Sequence, residues 1–374
     1  MRIAIDASRT LVAERTGTER YSLELIRGLL QVDRANEYLL YFRRPPPAEL
    51  IPTAANWRPR VVGPSRLWTH VGLGRALAHD RPDVLFVPAH VLPLLHRGRS
   101  VATVHDLGFR FYPRAHPPLA RCYLELSSRL AAHRATRLIA VSHSTARDLQ
   151  RLYRVPAERI RVVYEGVGPQ FRPLRDRQTL AELRRRYGLG REPYLLAVGT
   201  LQPRKNLVGL LRAYRRLLDV VDEPCQLVLV GRMGWGVRAI ASEAARLGLE
   251  RHVRRLGHVP DEDLPALYSE ALAFIQPSFY EGFGLTALEA LACGTPVVAA
   301  NASSLPEVVG SAALLVDPNS PADIATALGR LIAEPNLRAE LAAAGPRRAA
   351  RFSWKRCARE TLAVLLEAGA ACPA

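Results

Sequence analysis

The chain has 374 residues, too many for one ordinary hydrophobic core, and 48% of them are apolar, so two separately buried cores are expected. Its net charge of +17 suits an anionic partner, yet no helix-turn-helix, zinc-finger or RNP-type pattern and no long basic run is present, which argues against nucleic acid. No apolar signal region opens the sequence and no apolar run approaches the ~18 residues that span a bilayer, so a soluble, cytoplasmic protein is expected.

Strands and helices alternate along the chain. Ile3–Asp6 reads as a strand, followed by a helix from Glu19 to Leu30 with apolar residues at every third or fourth position. Tyr38–Phe42, Val84–Val87 and Val101–Val104 read as buried strands. A helix is expected from Leu119 to His133, then a strand Leu138–Val141 and a helix to about Leu152 with Ser142 as its N-cap. Arg161–Tyr164 closes this half, and the looser, charged, proline-containing stretch from Gly166 to Gln178 reads as a linker. The pattern then restarts: strand Tyr194–Val198, helix Asn206–Leu218, strand Leu227–Val230, helix Val237–Leu247, strand Val253–Leu256 and helix Asp263–Ser269. Strand Leu272–Gln276, a helix from Leu285 to Gly294, strand Pro296–Ala300, a strand near Leu314–Val316 and helices from Pro321 and Trp354 complete it. Alternation of this kind gives an α/β fold: two successive doubly wound parallel sheets, with ligands at the carboxyl ends of the strands.

Charge is unevenly distributed. Residues 1–177 hold 29 arginines against 15 acidic residues, a surplus of +14, whereas residues 178–374 hold 23 basic and 20 acidic, a surplus of +3. The first half therefore suits an anionic membrane surface or a lipid phosphate; an arginine-rich solvated surface is the plainer alternative. Of the 52 basic residues only Lys205 and Lys355 are lysines. A lysine kept in so arginine-biased a chain fits a position that needs a compact charge on a flexible stem, although chance survival explains it equally simply. The five cysteines (Cys122, Cys225, Cys293, Cys357, Cys372) are scattered and read as small apolar residues without disulfide or metal role.

The densest chemical signal is Glu281-Gly282-Phe283-Gly284-Leu285-Thr286, between a buried strand and an Ala/Leu-rich helix that carries Glu289. Strand, glycine loop and helix place free backbone N–H groups at a helix N-terminus, which is an anion site. Carboxylates beside it suit hydroxyl groups, so phosphate and sugar together form the expected ligand; an acidic helix start that merely complements the helix dipole is the alternative. A second loop, Gly199-Thr200-Leu201-Gln202-Pro203-Arg204-Lys205-Asn206, offers two adjacent cations that could clamp a diphosphate, or form a solvated basic helix start. In the first half, Val104-His105-Asp106-Leu107 ends a strand; His105 could donate to a sugar hydroxyl or shuttle a proton, or simply pack beside a capping Asp106. Glu14-Arg15-Thr16-Gly17-Thr18-Glu19 forms a glycine turn before the first long helix, where backbone could approach a ligand closely. No phosphate loop or nucleophile elbow is present, and Asp261-Glu262-Asp263 reads as helix capping, so no metal is expected.

The spacing of Glu281 and Glu289 around Gly-Phe-Gly, with the Arg204-Lys205 loop and His105 in order before it, resembles glycosyltransferase family 4, the retaining glycosyltransferases of GT-B fold, over nearly the whole chain. The resemblance implies two Rossmann-like domains facing each other across a cleft. Residues 1–172 would bind the acceptor, 173–353 the nucleotide-sugar donor, and 354–374 would form a helix packing back on the first domain. It implies that Glu289 binds the ribose hydroxyls and Glu281 a hydroxyl of the donor sugar. Arg204, Lys205 and the backbone near Gly284 and Leu285 would stabilise the leaving diphosphate. His105 would position the sugar, Gly17 would lie over the phosphates, and the loops at Gly231-Arg232 and His258-Val259 would meet the base. Thr200 stands where many members carry an arginine. The donor would be a GDP- or UDP-linked hexose, mannose or glucose, and the acceptor a glycan or a lipid-linked saccharide. No cofactor or metal is implied, and the protein would be cytoplasmic, in peripheral contact with the inner face of the cell membrane. A likeness to mannosyltransferases of polysaccharide assembly rests on Gln202–Asn206. An epimerase or a phosphorylase of the same fold, or a non-catalytic binding protein, are the alternatives.

Overall fold

A computed structural model describes residues 1–12, 16–63, 67–113, 117–221, 225–234 and 236–371; Glu14, Arg15 and Cys372, singled out above, lie outside the described residues. The chain forms two compact units: Met1–Phe111 with Pro117–Gly166 and Phe352–Ala374, and Tyr112–His116 with Val167–Arg351.

The first unit contains β1 (Arg2–Asp6), α1 (Gly17–Val32), β2 (Glu37–Phe42), β3 (Trp57–Val61), α2 (Leu73–Asp80), β4 (Val84–Val87), β5 (Ser100–Val104), α3 (Gly108–Phe111), α4 (Pro118–Arg134), β6 (Arg137–Ala140), α5 (His143–Tyr153) and β7 (Ile160–Val162). Its strands form a seven-stranded sheet in the order β3-β2-β1-β4-β5-β6-β7, parallel at every pairing. The central strands β4 and β5 are buried along their whole length and mostly apolar, because helices cover both faces. The edge strand β3 is different: its sequence Trp-Arg-Pro-Arg-Val is mostly exposed, and charge plus proline keep that edge from recruiting another strand. The cap read from sequence is present: the Ser142 hydroxyl accepts from the Thr145 amide at 3.0 Å at α5. Thr16 and Glu19 add a capping box at α1 that the sequence reading did not include.

The second unit contains α6 (Arg177–Arg186), β8 (Tyr194–Val198), α7 (Leu207–Leu218), β9 (Gln226–Val230), α8 (Val237–Arg246), β10 (Val253–Gly257), α9 (Leu264–Glu270), β11 (Ala273–Gln276), α10 (Leu285–Ala292), β12 (Val297–Ala300), α11 (Leu305–Val309), β13 (Ala313–Val316), α12 (Pro321–Ala333) and α13 (Pro335–Ala349). Its six strands are again all parallel, in the order β10-β9-β8-β11-β12-β13. A core of Leu195, Leu210, Tyr214, Leu229, Ile275 and Leu328 lies between sheet and helices. The stretch expected to be a linker ends in order: Asp176 accepts from the Gln178 and Thr179 amides and starts α6. Asp263, expected to cap α9, does not. Its carboxylate accepts from Arg186 at 2.9 Å and from the Tyr187 hydroxyl at 2.5 Å, because the end of α6 brings stronger donors than the helix amides.

The final helix, α14 (Trp354–Ala370), returns to the first unit. It lies against α1 and against β4, β5 and β6. Approach to α1 is close at Gly28, where a Cβ would stand 2.9 Å from the Ala358 Cβ. Gly166 meets the helix start, and a Cβ there would be 2.2 Å from the Trp354 amide nitrogen. Farther along, Glu367 accepts from Arg137 at 3.0 Å and from Arg161 at 3.1 Å. Among the described residues no helix is long and apolar enough to cross a membrane.

Candidate active site

In the second unit the carboxyl ends of β8, β9 and β10 end in glycines that let three loops converge. Gly199 and Gly231 have φ values of 139° and 138°, in the left-handed range where a side chain is strained. The Gly199 amide donates to the Val230 carbonyl and the Gly231 amide to the Gly257 carbonyl. At Gly231 a Cβ would stand 2.0 Å from the Gly199 carbonyl oxygen, so only glycine allows the approach. Leu201 and Met233 then bridge, laying the loop of Thr200 beside the loop of Arg232. Thr200 and Arg232 are half-buried, His258 is exposed and Val259 is buried.

Lys205 and Arg204 sit in a short 3-10 turn, Pro203–Lys205, that ends at Asn206 with φ 56°. The Asn206 amide group donates to the Pro277 carbonyl at 3.1 Å and the Pro318 carbonyl at 2.6 Å, tying the turn to the loop after β11. This tie brings both cations to Glu281. The Lys205 Nζ donates to Oε1 at 2.5 Å and Arg204 to Oε2 at 2.7 Å. Gln276 and Ser278 add bonds to Oε1 at 2.9 and 2.7 Å. Burial by itself would raise the Glu281 pKa; the charges of Lys205 and Arg204, with bonds from Lys205 and Ser278, outweigh it and hold the carboxyl well below the usual carboxylate range. Glu281 is therefore ionised at every ordinary pH. It cancels one of two positive charges, and the cluster stays net cationic.

The loop after β12 fixes Glu281 from behind. The Glu281 amide donates to the Ser303 hydroxyl at 2.8 Å, and the Ser304 hydroxyl donates to the carbonyls of Glu281 and Phe283 at 3.0 and 2.7 Å. Gly282 and Phe283 are buried, and Gly284, at φ 115°, turns the chain into α10. No side chain caps α10 and its first turn carries no acidic residue, so its leading dipole is not neutralised by the helix itself. Leu285 and Thr286 are half-buried there, and Thr286 donates to Gln276 at 3.0 Å. Glu289, one turn further, is 2% exposed and accepts from the Tyr268 hydroxyl at 3.0 Å.

In the first unit His105 follows β5. Its Nδ1 lies 3.1 Å from the Glu165 carboxylate and its Nε2 2.9 Å from the Pro88 carbonyl, while Tyr21 packs edge-on with ring centroids 4.6 Å apart. Burial would lower the His105 pKa, but the hydrogen bond and charge of Glu165 raise it above the ordinary value. Asp106 accepts from the Gly108 amide at 2.9 Å, the capping role weighed above. Gly17 is exposed as the first residue of α1, whose amides the Thr16–Glu19 box already serves.

The structure thus brings together Gly199, Arg204, Lys205, Glu281, Gly284 and Thr286 in one unit and places His105 and Gly17 in the other. Sequence reading missed Gln276, Ser278, Ser303, Ser304 and Asn206, which position Glu281 and Lys205, and missed Glu165. A polar Gln276 ending an apolar strand was the one available signal. Among the described residues no group of three or more His, Cys, Asp or Glu side chains is placed to hold a metal ion.

Residues 15–171 match the sequence profile of Glycosyltransferase Family 4, and residues 181–348 that of the Glycosyl transferases group 1. O-antigen chain mannosyltransferase B of Escherichia coli is 35% identical over 371 residues, which cover 93% of this chain and 95% of that one. The chain belongs to glycosyltransferase family 4. Its fold is the GT-B fold of solved glycosyltransferases. Sucrose-phosphate synthase of Thermosynechococcus elongatus superposes with a TM-score of 0.77 at 22% identity, covering 98% of both chains. Anabaena Alr3699/HepE, solved in complex with UDP and glucose, does so with a TM-score of 0.77 at 20% identity, covering 98% of this chain and 100% of that one. As a family 4 protein the chain is a glycosyltransferase.

Proposed function

We propose that this glycosyltransferase moves a hexose, with retention of anomeric configuration, from a nucleotide diphosphate sugar to a hydroxyl of a glycan or lipid-linked acceptor. Mannose is the first donor sugar to test, since O-antigen chain mannosyltransferase B is similar over nearly the full chain, and GDP the corresponding nucleotide. UDP-glucose is the second, because the Alr3699/HepE neighbour was solved with UDP and glucose.

One observation carries the reading: the buried, ionised Glu281 stands between Arg204 and Lys205, beside the uncapped N-terminus of α10. A diphosphate placed here meets two side-chain cations and the helix dipole, and these stabilise the negative charge that grows as the sugar–phosphate bond breaks. The acceptor hydroxyl forms the new bond to the anomeric carbon, and its proton passes to the departing diphosphate. Glu281, an acceptor with no proton to give, takes a hydrogen bond from a sugar hydroxyl, joining or replacing one of its present donors. A carboxylate carrying four side-chain hydrogen bonds is a poor nucleophile, which disfavours a covalent glycosyl-Glu281 intermediate. Glu289 serves the ribose hydroxyls and the loops of Gly231 and His258 the base. Arg204 and Lys205 take the charge-neutralising part, so no metal is required.

The acceptor is carried on a lipid diphosphate at an anionic membrane face. Two features support this: the +14 surplus of residues 1–177, and the exposed apolar side chains Leu95, Leu119 and Leu126 among the arginines of the first unit. The test is transfer from GDP-mannose and UDP-glucose to a lipid-diphosphate saccharide, with the product anomer read by NMR. Product with the donor's anomeric configuration supports the reading; donor epimerisation without acceptor, or hexose 1-phosphate release, overturns it.

A further inference from the structure

His105 is held in an arrangement that a neutral imidazole cannot satisfy beside an ionised Glu165. Its two ring nitrogens face two acceptors, the Glu165 Oε1 at 3.1 Å and the Pro88 carbonyl oxygen at 2.9 Å. A neutral ring has one N–H and one lone pair, so one of these contacts would set lone pair against lone pair in a nearly dry site; the imidazolium, with two N–H groups, satisfies both. The side chain of Glu165 is 4% exposed and that of His105 15%, so water does not supply the missing donor. With both nitrogens engaged, the surface His105 still presents is its carbon edge.

We infer that Glu165 is the positioning residue for His105: together with the Pro88 carbonyl it consumes both ring N–H groups and fixes the ring as a stationary imidazolium, which offers substrate oxygens charge and no transferable proton. The inference rests on the reading in which His105 faces the transferred sugar, and it replaces the proton shuttle or hydroxyl donor expected from sequence.

The surroundings decide how strongly the charge is held. Glu165, from the segment after β7, and Asp106, next in the chain, favour it. His90, after β4, opposes it, but burial together with the His105 charge pushes His90 down to about 4, so it is neutral and adds no repulsion near pH 7. Arg9, after β1, pushes His90 down further. Tyr21 of α1 has its hydroxyl paired with Thr103 at 3.0 Å, and burial raises both it and Cys357 of α14, which also feels the Glu165 charge, so both stay neutral. Glu165 is therefore the charge that decides the protonation of His105. Its own place is set by Gly166, against which the start of α14 packs too closely for any side chain.

Nitrogen-15 NMR of histidine-labelled protein tests this without any substrate, the His105 signals being identified by their loss in His105→Gln. The expected wild-type spectrum at pH 7.5 shows both His105 nitrogens protonated, and Glu165→Gln lowers the titration midpoint by at least one pH unit while circular dichroism is unchanged. A single protonated nitrogen at neutral pH in the wild type, or a midpoint unmoved by Glu165→Gln, overturns the inference. Should that variant not fold, the wild-type titration still decides the protonation state. In transfer assays the alkaline limb of kcat/KM should move to lower pH in Glu165→Gln and partly return in Glu165→Asp. Absence of transfer with every donor would refute the proposed reaction and leave the NMR result standing.

Discussion

Each unit buries a carboxylate against cationic partners at the carboxyl end of its sheet, but the two pairs differ in what the cation can do. Glu281 faces Lys205 and Arg204, which stay charged through the whole physiological range. Glu165 faces His105, whose charge depends on the pair itself. Permanent cations make a site whose field is constant, suited to holding a diphosphate. A histidine cation makes one whose field persists only while its carboxylate is in place. The same geometry therefore yields a fixed anion site in one unit and a pH-limited one in the other.

Substitutions separate the two. Lys205→Ala should lower transfer by about 10³-fold, the effect of deleting one well-placed charge donor. Arg204 still pairs Glu281, so the protein should stay folded by circular dichroism; unchanged transfer would show that the second-unit cluster is structural. Gly231→Ala forces a Cβ into the Gly199 carbonyl and should cost roughly 3 kcal/mol in denaturant unfolding, since overpacking and a left-handed backbone add. Ser304→Ala leaves two carbonyls of the Glu281 loop without their donor and should cost about 2 kcal/mol. A drop in transfer larger than that in stability would show that the loop holds Glu281 for catalysis.

The first-unit pair predicts a pH effect of definite sign. Because the folded His105 pKa is raised, the stability it contributes is complete below the unfolded value of about 6.5 and is lost as pH rises through the folded value. Wild type should therefore melt above Glu165→Gln by the widest margin near pH 6, and the margin should narrow on the alkaline side. A margin that widens with pH would reverse the assignment. Chelation gives the smallest expected effect: transfer in excess EDTA should equal transfer without it, and a loss restored by a divalent cation would add a metal to the second-unit site.

Legibility followed chemistry that is local in sequence. Val84–Val87 and Val101–Val104 were readable because a strand buried on both faces is mostly apolar and β-branched. The edge strand Trp57–Val61 was not, since Arg58, Pro59 and Arg60 suit an edge but do not look like a strand. Helix α13 carries Pro346 within it, and α6 buries only Leu180 and Leu183 among its arginines, so neither shows a clear apolar stripe. In the site, Arg204, Lys205, Glu281 and Glu289 stood out through motif spacing. Ser303 and Ser304 did not, because what they do depends on β12 lying beside β11. Glu165 lies 60 residues from His105 and gains its partner only when β5, β6 and β7 align.

Helix α14 gives the molecule an unusual order of assembly. Domains generally fold as they leave the ribosome, the earlier one first. Here α1 exposes Gly28 and its apolar neighbours until a segment synthesised after the entire second unit arrives to cover them. Apart from Tyr112–His116, the second unit is drawn from one continuous stretch, Val167–Arg351, and can fold while the first waits, held open as a nascent chain. A stop codon placed after Arg351 would remove no residue of the second unit, yet it would leave the first without the helix that seals it.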